Sequence, residues 1–334
     1  MASSSYFTLS TTPTNTLPPV IVLMGPTASG KSALAVNLAQ ELNGEIVSVD
    51  SALVYKGMDI GTAKPTLAER GGIPHHLIDI IDASEAYSTG QFRSQALALI
   101  ADITSRGKLP ILVGGTMLYF NALLNGLAVL PPANPEIRAQ LDLDLETLGK
   151  DALHERLAAI DPVAAARIHP NDPQRVQRAL EVFQISGKAL SEFFTPDQAD
   201  VLPYQFIKII VAPTDRKVLH DIIAKRFHLM LKQGFMDEVR TLYERGDLNE
   251  KMPAIRAVGY RQAWSYLQGE DDLATMTEKA IIATRQLAKR QFTWLRRETE
   301  AKQFETGQVD LVTQVLGYIK TQIEVNNSLL NKVV

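Results

Sequence analysis

Residues 25–32 read Gly25-Pro26-Thr27-Ala28-Ser29-Gly30-Lys31-Ser32, a complete G-x-x-x-x-G-K-S phosphate loop. The loop directly follows the apolar run Val20 to Met24 and precedes the helix-forming stretch Ala33 to Leu42. Strand, glycine-rich turn and helix start in that order constrain the fold to a parallel α/β sheet. The glycines let backbone N–H groups close around phosphate oxygens, and the helix N-terminus adds partial positive charge. Lys31 is placed to reach the outer phosphate, and the Ser32 hydroxyl to ligate Mg²⁺. The chain therefore binds a phosphorylated ligand, although the loop does not say which.

The second strand, Glu45-Ile46-Val47-Ser48-Val49, ends in Asp50, followed by Ser51-Ala52-Leu53. Ligands of open parallel sheets collect at the carboxyl ends of strands, so Asp50 is expected beside the phosphate loop. It could hold magnesium, bind a small-molecule acceptor, act as a general base, or simply cap the following turn. Further strands are expected at 77–81, 110–113 and 206–212, with a helix between the first two of these. Ser88-Thr89-Gly90-Gln91 fits a capping box at its start, and Gly107 with Pro110 marks its end. The strand ending at Val113 runs into Gly114-Gly115-Thr116. Two glycines there permit close backbone approach to a ligand. Thr116 then either points its hydroxyl into the crevice with Asp50 or serves as a helix N-cap. The adjacent His75 and His76 cannot both face one metal from a strand and are read as packing or loop residues.

At 334 residues and 46% apolar content, the chain can bury a large core and is expected to split into two units. It has no Cys, which excludes disulfides, thiolate zinc sites and cysteine nucleophiles. No apolar run reaches the roughly 20 residues that span a bilayer. Residues 1–19 read as a polar disordered tail without the marks of a targeting signal, and a reducing cytoplasm is the expected home. Formal net charge is −3, so any nucleic-acid contact must come from local clusters.

Between Pro131 and Pro203 the texture becomes helical, rich in Ala, Leu and charge. The block reads as a helical insertion domain, 131–203, covering the crevice of a core formed by 20–130 and 204–303. Within it, Asp172-Pro173 starts a helix that carries Arg175 and Arg178 on one face, suited to phosphate recognition or to a solvated surface. Two more basic segments follow. Arg256-Ala257-Val258-Gly259-Tyr260-Arg261 sets a ring and a glycine between guanidinium groups. Residues 284–297 carry cations and no acid, with Arg285, Lys289 and Arg296 on one helical stripe and Leu287, Trp294 and Leu295 anchoring the other side. That stripe is either a polyanion footprint or a solvated amphipathic face.

Taken together, these motifs resemble the tRNA isopentenyltransferase family, in its bacterial tRNA dimethylallyltransferase branch. The resemblance rests on Gly25 to Ser32, Ser48 to Ser51, Tyr55-Lys56-Gly57-Met58-Asp59-Ile60-Gly61-Thr62-Ala63-Lys64-Pro65 and Gly114 to Thr116. It continues through Asp172 to Arg178, Arg256 to Arg261 and Arg285 to Arg290, and spans almost all of 20–300. A Cys-free chain cannot carry the zinc-binding tail of the eukaryotic branch. The resemblance implies a P-loop NTPase-like parallel sheet flanked by helices, with the helical insertion and a C-terminal helix and tail over 304–334. It implies a monomeric enzyme moving a dimethylallyl group from dimethylallyl diphosphate, with Mg²⁺, to an adenosine beside the anticodon of tRNA. Asp50 would be the base and Thr116 its neighbour at the reacting centre. The diphosphate would sit on Gly25, Pro26, Thr27, Ala28, Ser29, Gly30, Lys31 and Ser32. The family pattern places tRNA contacts at Asp50, Ser51, Ala52, Leu53, Thr116, Arg138, Gln174, Arg175, Val176, Gln177 and Arg178. It adds Arg256, Ala257, Val258, Gly259, Tyr260, Arg261, Thr284, Arg285, Gln286, Leu287, Ala288, Lys289, Arg290 and Gln291.

Two other classes fit parts of the pattern. An ATP-dependent small-molecule kinase explains the loop and the arginines of the insertion but leaves 284–297 unemployed. An RNA-binding NTPase is opposed by Gly114-Gly115 where a magnesium-binding acid would stand, and by the lack of an Asn-Lys-x-Asp guanine signature.

Overall fold

The computed structural model describes residues 17–128, 130–194 and 201–330; residues 1–16 of the expected polar tail lie outside them. The elements in chain order are β1 (Pro19–Met24), α1 (Lys31–Glu41), β2 (Gly44–Val49), β3 (His75–His76), α2 (Thr89–Ser105), β4 (Leu109–Gly114) and α3 (Met117–Asn125). There follow α4 (Pro135–Ile160), α5 (Pro162–Arg167), α6 (Pro173–Ser186), β5 (Gln205–Ala212), α7 (Arg216–Lys232), α8 (Phe235–Tyr243), α9 (Tyr260–Leu267), α10 (Leu273–Leu295), β6 (Lys302–Glu305) and α11 (Leu311–Leu330). The described residues divide into two units, cut at Leu124/Asn125 and Val201/Leu202.

The larger unit holds a six-stranded sheet in the order β3-β2-β4-β1-β5-β6, parallel at every pairing. Its central strands are buried on both faces: β1, β2 and β4 are apolar runs with hardly an alternation, as a sheet covered by helices on two sides requires. One face packs Val20, Val22, Met24, Val47 and Val49 on α2 and α3 through Phe92, Ile100 and Phe120. The other packs Ile21, Leu23, Ile111 and Ile209 on α1 and α11. The period-2 alternation of the strands thus splits one apolar segment between two cores. A third core gathers α7 to α10 around Phe235, Tyr260 and Trp264. The start of α2 forms the expected capping box, Ser88 with Gln91.

Three sequence expectations need correction. The segment 77–81 is not a strand; pairing with β2 stops at His76, because Leu77 (φ 61°) and Asp79 (φ 56°) turn the chain. His75 and His76 are instead the edge strand itself, with His76 Nε2 2.9 Å from Glu45 Oε2. The C-terminal segment expected as helix and tail over 304–334 does contain a helix, α11, but Phe304 belongs to β6, which pairs with β5 from Ile209 to Ala212. Nothing in Lys302-Gln303-Phe304-Glu305 announces a strand, since an exposed edge needs no apolar alternation.

The smaller unit, Asn125 to Val201, packs α4, α5 and α6 around Leu141, Leu153, Leu157, Val176 and Leu180. Helix α4 is broken at Gly149 (φ 82°). Prolines open α4, α5 and α6 at the first turn, where a missing N–H costs nothing.

Candidate active site

The strand order brings three carboxyl ends side by side. Met24 of β1 and Val49 of β2 are both in register with Gly114 of β4, so the loops leaving these strands meet at one level. They border a cavity of about 410 Å³ lined by residues from each, together with α7, α10 and the segment Arg256 to Gly259.

The phosphate loop supplies one wall. Gly25 must be glycine: a Cβ there would lie 2.3 Å from the Val211 carbonyl oxygen and 2.7 Å from Ser29 Oγ. Ala28 and Gly30 take φ 65° and 80°, which folds the backbone back toward the start of α1. That helix has no side-chain cap, so its first-turn N–H groups stay available to an anion. The Ser29 hydroxyl is buried without a partner among the described residues. A buried polar atom left so is costly unless a ligand or water meets it. Lys31 donates to the Pro26 carbonyl at 3.1 Å. Loss of hydration pulls its pKa down to about 8, against the pull of Asp50 and with the push of Arg226.

Arg226 of α7 is the residue that sequence reasoning missed. It lines the cavity, donates to Thr27 Oγ1 at 2.7 Å, and burial lowers its pKa while Asp50 raises it. No local signal marks it, because its partner is 199 residues away. Two cations withdrawn from water on one side of a cavity make an anion site.

Asp50 and Thr116 stand on the second wall. Asp50 Oδ1 accepts from the Ala52 amide at 2.8 Å, so the turn-capping role considered for it is real. It engages one carboxylate oxygen, and Asp50 still lines the cavity. Thr116 Oγ1 accepts from the Ser51 amide at 3.0 Å, which ties the loop after β4 to the loop after β2. Ser51 and Ala52 line the cavity with them. Leu53 does not line it, and its carbonyl accepts from the Asp79 amide at 3.1 Å. A Cβ on Gly114 would lie 1.9 Å from the Val49 carbonyl oxygen, so the glycines of this turn are required by close packing.

Helix α10 divides its residues between two sides. Thr284, Leu287, Arg290, Gln291 and Trp294 face the cavity. Arg285, Gln286 and Lys289 face a separate groove against α7, with Arg216 and His220. Of the expected anchors, Leu295 is buried and Trp294 packs half-buried against the same core, whereas Leu287 faces the cavity and Ala288 is buried instead. Ala288 therefore presents no side chain to a partner. Gln291 is also buried, and its amide is consumed by Thr27 N–H and the Gly115 carbonyl.

The Arg256 to Arg261 segment needs a similar revision. Arg256, Ala257, Val258 and Gly259 line the cavity, and Arg261 is exposed on α9. Tyr260 is fully buried, edge-on to Phe235 at 5.2 Å, with its hydroxyl on Glu238. It is a core residue and cannot stack on a base. Glu238 in turn accepts from the amides of Asp59, Ile60 and Gly61 at 2.8, 2.7 and 3.1 Å. This holds the Tyr55 to Pro65 loop, whose Gly61 and Thr62 line the cavity. The loop is further pinned by buried Lys64, which bonds the Tyr55 carbonyl, Asp59 and Asp79.

In the smaller unit, Val176 is buried and Gln177 donates to Asp142 at 2.8 Å. Arg178 donates to Glu181 at 2.6 Å and to the Pro131 carbonyl at 2.7 Å. Arg138 reaches the same Glu181 at 2.9 Å, a carboxylate 1% exposed whose pKa is lowered by these cations in spite of its burial. Arg138 and Arg178 are therefore the counter-charges of a buried acid, and the i, i+3 face proposed for Arg175 and Arg178 is reduced to exposed Gln174 and Arg175.

The sequence profile of the IPP transferase family matches residues 53–298. A tRNA dimethylallyltransferase of Methylococcus capsulatus is 64% identical over 291 residues, 87% of this chain and 93% of that protein. Another, of Nitrosococcus oceani, is 58% identical over 89% of this chain and 95% of its own length. Among solved structures, the tRNA isopentenylpyrophosphate transferase of Bacillus halodurans superposes with a TM-score of 0.70 at 38% identity, covering 93% of this chain and 98% of that one. A eukaryotic dimethylallyltransferase acting on tRNA gives a TM-score of 0.76 at 31% identity, covering 92% of this chain and 80% of that one. The profile spans most of the chain and the relatives match over nearly their whole lengths: the chain belongs to the IPP transferase family, the tRNA dimethylallyltransferases.

Proposed function

We propose that the chain transfers a dimethylallyl group from dimethylallyl diphosphate to the exocyclic N6 amine of the adenosine next to the anticodon of tRNA, releasing diphosphate. The observation that carries this reading is the make-up of the cavity: the wall from the phosphate loop and α7 brings the half-buried cations Lys31 and Arg226, and the wall from the loops after β2 and β4 brings Asp50 and Thr116. The first wall suits the leaving diphosphate, held by the loop amides and both cations as negative charge grows on it. The second suits the amine, whose lone pair is spread into the purine ring and which gains nucleophilicity as its proton passes to Asp50. The allylic C–O bond breaks, the N–C bond forms, and the proton ends on the Asp50 carboxylate. Thr116 steadies the Asp50–Ser51 turn through its bond to the Ser51 amide.

Mg²⁺ fits the donor set. The described residues contain no group of three His, Cys, Asp or Glu able to cage a metal, so a cation here would rely on diphosphate oxygens, water and the exposed Ser32 hydroxyl. Bound there, it would neutralise charge on the departing diphosphate. The target base must leave its stack, at a cost of a few kcal/mol. The exposed Arg256, Arg261 and Arg290 are placed to offset that cost by holding backbone phosphates. Among the described residues no helix is long and apolar enough to cross a membrane, and a monomer working in the cytoplasm suits an enzyme of tRNA.

The relatives give no support to the kinase reading. Titration calorimetry with dimethylallyl diphosphate and with ATP, each with Mg²⁺, followed by mass spectrometry of the treated tRNA, tests the proposal. Binding of the allylic diphosphate and a prenylated adenosine are expected; ATP-dependent phosphorylation without prenylation sinks it.

A further inference from the structure

One side chain joins the two walls of the cavity. Gln291, 8% exposed, accepts from the Thr27 amide at 2.9 Å through Oε1 and donates to the Gly115 carbonyl at 2.9 Å through Nε2. Only one orientation of its amide satisfies both partners, because one is an N–H and the other a carbonyl. Thr27 belongs to the phosphate loop. Gly115 precedes Thr116, whose hydroxyl fixes the Ser51 amide beside Asp50. The two loops also meet directly: a Cβ on Gly115 would sit 2.3 Å from Gln291 Nε2 and 3.2 Å from the Gly25 carbonyl oxygen. Both glycines are therefore compressed into one contact, and Gln291 closes it from the side of α10. An amide committed at both ends to backbone is not free to read a base or a phosphate.

We propose that Gln291 is a positioning residue that sets the separation between the loop holding the diphosphate and the loop holding the base. This rests on the prenyl-transfer reading, because it needs a leaving group on one wall and a nucleophile on the other. Displacement at carbon requires the reacting atoms roughly 3–3.5 Å apart, and an error of about 1 Å costs on the order of a hundredfold in rate. Two loops tied to one rigid amide cannot drift independently. The same helix carries Thr284, Leu287 and Arg290 into the cavity, so the gap between the walls is set by the element that also borders the acceptor.

Two variants test this in the full-length enzyme. Gln291→Met keeps the length of the side chain and loses both bonds. Gln291→Glu keeps the acceptor for Thr27 and opposes the Gly115 carbonyl with a second oxygen. The measurements are the single-turnover rate at saturating dimethylallyl diphosphate and tRNA, the tRNA Kd, and hydrogen exchange of the peptide containing Thr27. Both variants are expected to slow transfer by about 10- to 100-fold with tRNA Kd within about twofold of wild type. Thr27 should lose protection in Gln291→Met and keep it in Gln291→Glu. Transfer within twofold of wild type in either variant overturns the proposal. So does a tenfold weaker tRNA Kd at an unchanged rate, which would make Gln291 an RNA contact. If Gln291→Met does not fold, Gln291→Glu carries the same rate test. A wild-type enzyme inactive with dimethylallyl diphosphate overturns the transfer reading instead, and the Thr27 exchange measurement still reports the bridge.

Discussion

At the scale of single residues, the site is a balance of charges kept out of water. Lys31 has lost enough hydration to bring its pKa down to about 8. The cation proposed to grip the diphosphate is fully formed below that pH and lost above it, so the sign is set. On the alkaline side, kcat/KM for dimethylallyl diphosphate should fall about tenfold per unit as pH rises above about 8, as a pH–rate profile of the free enzyme would record. Asp50 has two tasks, capping the Ala52 amide and facing the cavity. Asp50→Asn keeps an acceptor for that cap while removing the proposed base. Its turnover should drop by about 10²–10⁴ with unchanged tRNA affinity in a filter-binding assay. Activity within tenfold of wild type would remove Asp50 from that role.

At the scale of elements, the revised helices and loops share one cause: side chains are spent on structure before they can serve a ligand. Tyr260 looked like a ring between two guanidinium groups, yet it holds Glu238, which holds three amides of the Asp59 to Gly61 loop. Tyr260→Phe leaves one oxygen of the half-buried Glu238 carboxylate a bond short, which costs about 1 kcal/mol. Chemical denaturation should register that loss while tRNA Kd stays within twofold; a large change in RNA affinity with unchanged stability would return the ring to the interface. Helix α10 teaches the same lesson by facing. Its 3.6-residue period sends Leu287, Arg290 and Trp294 to the cavity and Arg285 and Lys289 to the α7 groove. A row of cations read along a sequence has two sides, and only the fold says which one faces the site.

At the scale of the whole molecule, a chain of net charge −3 binds a polyanion only through local clusters. Exposed Arg256 and Arg290 border the cavity. Replacing each with Ala should flatten the plot of log K against log salt by roughly 0.7 per phosphate lost from a single strand. Lys289→Ala, on the far side of α10, should leave the slope alone, and equal slopes for all three would break the assignment.

Much of this molecule was written locally. The phosphate loop, the Ser88 capping box and the strands around Asp50 and Gly114 depend on contacts within a few residues or on a run of apolar side chains. The parallel sheet follows from their order, because a strand that feeds a helix returns alongside its predecessor. What the chain could not announce depends on partners far apart in sequence. Arg226 meets Thr27 across 199 residues and Gln291 meets it across 264, while Glu238 reaches the Asp59 amide across 179. Strand β6, without an apolar alternation, exists only because β5 leaves an edge beside it. The sequence by itself determined the form of the phosphate loop and which strand ends surround it, since those are properties of short backbone segments. Only the tertiary structure decided which cations line the cavity and which amide spans it, because desolvation and side-chain commitment exist only once distant segments are packed together.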